Sequence, residues 1–207
     1  MFILTPQEQD ALQELLNVGF GRAGASLSEM LDEEVILSLP FLDFLPPEEA
    51  IDLMEKSASG DEMAAVRQVF TGSFSGTAML VYGMESSLNL VRALLKEDLP
   101  ASNLTELERE SLLEVGNILL NACLGTLANM LEGELECHFP EYLQRSCRDL
   151  IMPLFGASEE NPTSLLFLVV QFRTTTTHIQ GYLVLLLGLD ALRNLRQQLA
   201  RLLERFE

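Results

Sequence analysis

Cysteine is scarce in this 207-residue chain, and base is scarce beside acid. The three cysteines, Cys123, Cys137 and Cys147, are odd in number and show no CxxC spacing. That pattern argues against a disulfide frame or a zinc site and for buried thiols in a reducing compartment. Thirteen Lys and Arg face 31 Asp and Glu, a formal charge of −18. Nucleic-acid binding needs clustered base to neutralise phosphate, so that class is excluded. An anionic membrane surface is disfavoured for the same reason. The start shows no leader pattern, and no apolar run reads as long enough to cross a bilayer. The expectations are a cytoplasmic protein, no membrane insertion, and a soluble partner with a basic or metal-bearing face.

Apolar residues are plentiful, at 48%, enough for a substantial core. Their arrangement is duplicated. Leu4 to Pro40 recurs without a gap from Leu104 to Pro140, each residue 100 positions on. Thr5/Thr105, Glu8/Glu108, Leu12/Leu112, Glu14/Glu114, Asn17/Asn117, Leu27/Leu127, Met30/Met130 and Pro40/Pro140 are identical pairs.

Thr5 with Glu8 three residues on is a capping box, with Pro6 at the first helical position. Leu12, Leu16, Phe20, Ala23, Leu27 and Leu31 continue at helical spacing, so the pattern predicts a helix over 6–31. Val35–Leu39 reads as a strand ended by Pro40, and Pro46-Pro47 opens a short helix. Strands at Met63–Thr71 and Gly76–Tyr82 flank a hairpin turn, and a helix follows from Glu85 to Lys96. Asp98–Asn103 is the linker. The second half repeats this order: a helix to about Leu131, a strand at Leu135–Phe139, a helical turn at Glu141–Gln144 and a short strand at Ile151–Leu154. Strands at Ser164–Arg173 and His178–Leu187 precede a last helix from Asp190 to Arg205. The fold class expected is α+β. Two related halves (about 4–97 and 104–206) form one domain over 1–207, sharing a mostly antiparallel sheet with the long helices on one face, about a pseudo-two-fold axis.

Asp10, Glu14 and Asn17 are spaced i, i+4, i+7 and share one helix face, as do Glu110, Glu114 and Asn117. From Asn17 the helix runs on for roughly 21 Å. The strand returns over roughly 20 Å. Pro40 is thus expected back beside Asn17, and Pro140 beside Asn117. A lone Glu and Asn on a helix are usually solvated surface. Here the pair persists while Phe20/Leu120, Gly21/Asn121 and Arg22/Ala122 have diverged.

The spacing Asp/Ser-x3-Glu-x2-Asn-x22-Pro resembles the CheC/CheX/FliY phosphatases of bacterial chemotaxis, which act on the response regulator CheY. Asp10, Glu14, Asn17 and Pro40 match throughout. Glu114, Asn117 and Pro140 match the second copy, and the flanking E-V-G-N-I-L and L-A-N-M-L look like CheC. Glu110 departs from Asp/Ser, and Leu16 stands where the family commonly has Gly. Two complete copies resemble CheC more than single-site CheX, and no C-terminal switch domain of the full-length FliY kind is seen. The resemblance implies that Asn17 and Asn117 hold the attacking water and that Glu14 and Glu114 pair with a lysine of the partner. Asp10, Glu110, Pro40 and Pro140 would be accessory. It implies no cofactor or metal of its own, Mg2+ on the phosphorylated CheY-like regulator, and a CheD-type protein as an alternative partner of an adaptor with little activity. A flagellar-switch component is a third reading.

Other signals carry less. Gly19-Phe20-Gly21-Arg22-Ala23-Gly24 is a literal GxGxxG, but it lies inside a helix where a dinucleotide fingerprint needs a preceding strand. It reads instead as a close-packing site. His138 and His178 are isolated, Thr174–Thr177 reads as strand or turn surface, and Arg193, Arg196, Arg201 and Arg205 read as a solvated face.

Overall fold

In order, the chain forms α1 (Pro6–Leu31), β1 (Ile36–Leu45), α2 (Pro47–Ser57), β2 (Met63–Gly72), β3 (Gly76–Gly83) and α3 (Met84–Leu95). Then come α4 (Glu106–Met130), β4 (Leu135–Cys137), β5 (Glu141–Arg145), α5 (Cys147–Ile151), β6 (Leu165–Arg173), β7 (His178–Leu187) and α6 (Leu189–Glu204). This computed structural model describes residues 3–57, 61–95, 105–155, 165–174 and 178–204. The Asp98–Asn103 linker, Lys96, Arg205 and parts of the Ser57–Asp61 and Thr174–Thr177 stretches lie outside them.

Both capping boxes form. Thr5 N donates to Glu8 Oε2 at 2.7 Å, and Glu8 N donates back to Thr5 Oγ1 at 3.2 Å. Thr105 and Glu108 repeat the exchange, so α1 and α4 start in the same register. They stop alike too. Asp32 and Glu132 each turn the chain with a left-handed φ of 52°. That conformation costs an L-residue roughly 1–2 kcal/mol, so its recurrence 100 residues apart marks a copied turn.

The sheet is antiparallel throughout, in the order β1-β6-β7-β3-β2-β4, with β5 also on β2. The first half's β1 pairs with the second half's β6, while β4 and β5 pair with the first half's β2. β3 and β7 meet in the middle. The halves therefore exchange their leading strands around a pseudo-two-fold axis. Glu48 and Arg148, equivalent positions of α2 and α5, face each other across it in a bidentate pair at 3.0 and 2.6 Å.

Side chains along the strands alternate between two cores. Ala64, Val66, Phe70, Leu80, Leu166, Leu168, Val170 and Leu183 face a large core shared with α1, α3, α4 and α6. Ala65, Met79, Val81, Phe167 and Val184 face a smaller one under α2 and α5. With both faces covered, the strands read as nearly continuous apolar runs.

Several expectations need correction. Pro40 does not end β1, which runs on to Leu45. Pairing shifts between Ser38/Gln171 and Phe41/Val169, so Leu39 and Pro40 form a bulge. On an edge strand a bulged proline forfeits no ladder bond. The second copy breaks at the corresponding place into β4 and β5, so Glu141–Gln144 is strand, held along β2, where a helical turn was expected. The strand expected at Ile151–Leu154 is the end of α5 and a 3-10 turn, because Ser146 caps a helix by accepting from Asp149 N at 3.1 Å. Arg193, Arg196 and Arg201 are exposed on α6 as expected, and Arg196 also reaches Ile3 O and lies 3.7 Å from Glu8, linking α6 to the start of α1. Finally, α4 has an 18-residue window of mean hydropathy 1.4, long and apolar enough to cross a membrane. Its Leu112, Val115, Leu119, Leu120, Cys123, Leu124 and Leu127 are buried in the core, the other setting in which such a helix occurs.

Burial of thiols sets a pH limit on stability. Burial pushes Cys123 up from its ordinary 9.0 to about 12 and Cys147 to about 11, and raises the Tyr82 phenol as well. The folded state thus disfavours the anions. Stability is level below the unfolded pKa of about 9 and falls as pH rises toward the folded values. Urea unfolding is expected to show a loss of roughly 4 kcal/mol between pH 8 and pH 10.5. Cys123→Ala should flatten part of that decline.

Candidate functional site

The two polar stripes inherit their positions from the capped helices. In the first copy Asp10 and Glu14 are exposed and Asn17 is half-buried. Gln9 and Gln13, each one turn apart along the same edge of α1, reach the strand. Gln13 Nε2 donates to Leu39 O at 2.6 Å, and Gln9 Nε2 donates to Leu42 O. Asn17 is the next residue at i+4 from Gln13, so it shares the edge of α1 that faces the Pro40 bulge. Asp10 and Glu14, on the same face as Asn17, also border an apolar groove of about 410 Å³ formed with Leu15 and the α6 residues Leu202 and Leu203.

In the second copy Asn117 and Pro140 line one groove of about 680 Å³, together with Gln68, Asn121, Cys137, His138 and Phe139. Glu110 and Glu114 are exposed on α4 and do not line that groove. Asn117 is half-buried, and its Oδ1 accepts from Asn121 Nδ2 at 2.9 Å. Neither Asn is walled off.

Four residues beyond the motif shape these surfaces. Gln68 is 2% exposed. Its Nε2 donates to His138 O at 3.0 Å, while its Oε1 is buried without a partner among the described residues. Gln68 thus holds the second proline segment from the sheet, whereas Gln13 holds the first from the helix. The signal for Gln68 was its parity: it falls on the inward row Ala64, Val66, Phe70, the one amide in an apolar series. Phe139, at 98% exposure, projects at the rim, where its counterpart Leu39 is buried. Asn121 and Gln13 carried no sequence signal separable from helix surface.

The glycine run is a packing device. A Cβ on Gly19 would lie 3.0 Å from Ala122 O and closer still to Thr126 Oγ1, so α1 and α4 cross there. Gly24 is pressed against Val35 O of the strand approach, and no strand precedes the run among the described residues.

Cys137 is exposed while Cys123 and Cys147 are buried. Partial burial raises the Cys137 thiol somewhat. A thiol reagent under native conditions is expected to label Cys137 alone, with the other two reacting at least about a thousandfold more slowly because they wait on unfolding. Mass mapping of the labelled peptides checks this.

No protein-family model matches the chain. The CheY-P phosphatase CheC of Bacillus subtilis (strain 168) is 23% identical over 138 residues, which are 65% of this chain and 65% of that protein. Thermotoga maritima FliY has a crystal structure superposing with a TM-score of 0.74 at 16% identity, over 96% of this chain and 98% of that one. A chemotaxis protein CheX from Desulfovibrio desulfuricans gives 0.52 at 13% identity, over 84% and 99%. The FliM middle domain from H. pylori gives 0.61 at 10%, over 94% and 99%. The fold is therefore of the CheC/CheX/FliY type, which FliM middle domains share. In sequence and fold together, the chain resembles the CheC/CheX/FliY family.

Proposed function

We propose that this chain is a phosphatase of the aspartyl phosphate of a CheY-like response regulator, acting in the cytoplasm as one unit of two repeats. The observation that carries the reading is the duplicated Glu-x2-Asn-x22-Pro spacing, with Asn117 and Pro140 lining one open groove. The similarity to a CheY-P phosphatase supports it. An Asn amide offers both donor and acceptor and never titrates, which suits it to hold a water. Asn17 or Asn117 would place that water in line with the phosphorus. The water oxygen bonds to phosphorus as the bond to the aspartyl oxygen breaks, leaving aspartate and inorganic phosphate and releasing a proton to solvent. Charge on the transferring group would rest on the regulator's own Mg2+ and lysine, so this chain's contribution is position. Glu14 and Glu114 would pair with that lysine, with Asp10, Glu110, Pro40 and Pro140 accessory. The test is release of inorganic phosphate from the host's regulators after phosphorylation by acetyl phosphate. Acceleration for at least one regulator is expected; none for any overturns the reading.

A second reading, favoured by the shared fold of FliM middle domains, is a binding protein that sequesters the regulator or engages a CheD-type partner. Capture of a regulator without faster phosphate release would select it.

A further inference from the structure

The two copies differ one helical turn beyond the Asn. Position 21 is Gly and position 121 is Asn. Residues four apart on a helix are neighbours, so only the second copy has a side chain there that can reach the amide before it. It does so: Asn121 Nδ2 donates to Asn117 Oδ1 at 2.9 Å. Asn17 makes no side-chain hydrogen bond among the described residues. A Cβ at Gly21 would meet nothing within 4 Å, so the space beside Asn17 is open.

An amide has two N–H donors and two lone pairs on oxygen. In Asn117 one lone pair is committed, which fixes the torsion of the amide and decides which end faces the groove. One lone pair and two N–H groups remain for a water or a partner. On the sheet side of the same groove, Gln68 is held through its Nε2 by His138 O, with Oε1 buried and unpartnered. The second groove thus presents an amide oriented by its helical neighbour, beside a proline segment that Gln68 holds from the sheet. The first offers an amide free to turn.

We infer that Asn121 is a positioning residue of the second copy, ordering the Asn117 amide before a regulator docks and making this copy the faster of the two. The inference rests on the phosphatase reading for its kinetic consequence, but the ordering itself is a property of the free protein. A group ordered in advance need not be ordered in the transition state, so the gain falls on kcat.

The experiment isolates each copy. With Asn17→Ala leaving only the second, adding Asn121→Ala is expected to lower kcat about fivefold, the worth of one ordinary hydrogen bond, with KM nearly unchanged. Asn121→Gln, which keeps the donor, should recover part of the loss. With Asn117→Ala leaving only the first copy, Gly21→Asn should raise kcat. Equal kcat with and without Asn121 in the first comparison overturns the inference. The independent readout is nitrogen relaxation of the side-chain amides in the unbound protein. Asn117 is expected to be more ordered than Asn17, and Asn121→Ala to remove the difference. Equal order in the unaltered protein overturns the inference whatever the activity. Absence of phosphate release from every form, with the amide difference intact, overturns the phosphatase reading and leaves the positioning standing.

Discussion

Replacing Asn17 and Asn117 together by alanine is expected to remove at least about a hundredfold of the acceleration of phosphate release, the scale seen when a positioned catalytic donor is deleted. Folding should not suffer. Both residues are half-buried on long helices, and alanine is the better helix former, worth several tenths of a kcal/mol at each position. Circular dichroism and urea midpoints at or above those of the unaltered protein would show that the loss is chemical. Either single substitution leaves the other copy intact and should retain measurable activity. Full activity in the double variant would remove these amides from the mechanism. Because both amides are uncharged, regulator capture should survive the double substitution better than turnover does, which also separates catalysis from sequestration.

The second large effect concerns Gly116. The first copy has Leu16 at this place, fully buried, so Gly116→Leu only copies one half into the other. It is nevertheless expected to cost about 3 kcal/mol or more. A Cβ on Gly116 would sit 2.6–2.9 Å from the branched carbons of Val66, a stiff side chain in the middle of β2. Val66 is hemmed by β3 and β5 and cannot withdraw. A fall of roughly 1–2 M in the urea midpoint is the expected reading. Pairing the change with Val66→Ala should restore much of it, a coupling that a double-mutant cycle would measure. A neutral Gly116→Leu would mean that α4 is not seated as closely on the sheet as described.

Sequence reasoning reached the helices best, because their ends are marked by local chemistry. Thr5-x2-Glu8 and Thr105-x2-Glu108 state where α1 and α4 begin, and everything in register with them follows, including the stripe of Asp10, Glu14 and Asn17. The strands were harder because their limits depend on neighbours far along the chain. Pro40 looks like a stop when read alone; it is tolerated because β1 lies at the edge and can bulge against β6. Glu141–Gln144 has no strong local preference and becomes strand only because β2 presents an open edge to it. The site divides along the same line. The motif residues were visible through repetition. Gln13 and Asn121 were not, since a polar residue on a helix surface looks the same whether it reaches a strand, a neighbouring amide or water. Gln68 was discoverable from its inward parity, but its partner, His138 O, required the fold.

The crossing-over of leading strands between the halves has an evolutionary reading. A half-length chain would leave β2 or β6 without its outer neighbour and the long-helix core open on one side. Two such chains could have become whole only by trading strands, as an obligate pair whose survival depended on concentration. Joining them end to end made that encounter intramolecular and released each half from having to match its twin. Gly21 and Asn121, Leu16 and Gly116 are then differences that identical subunits could never have held.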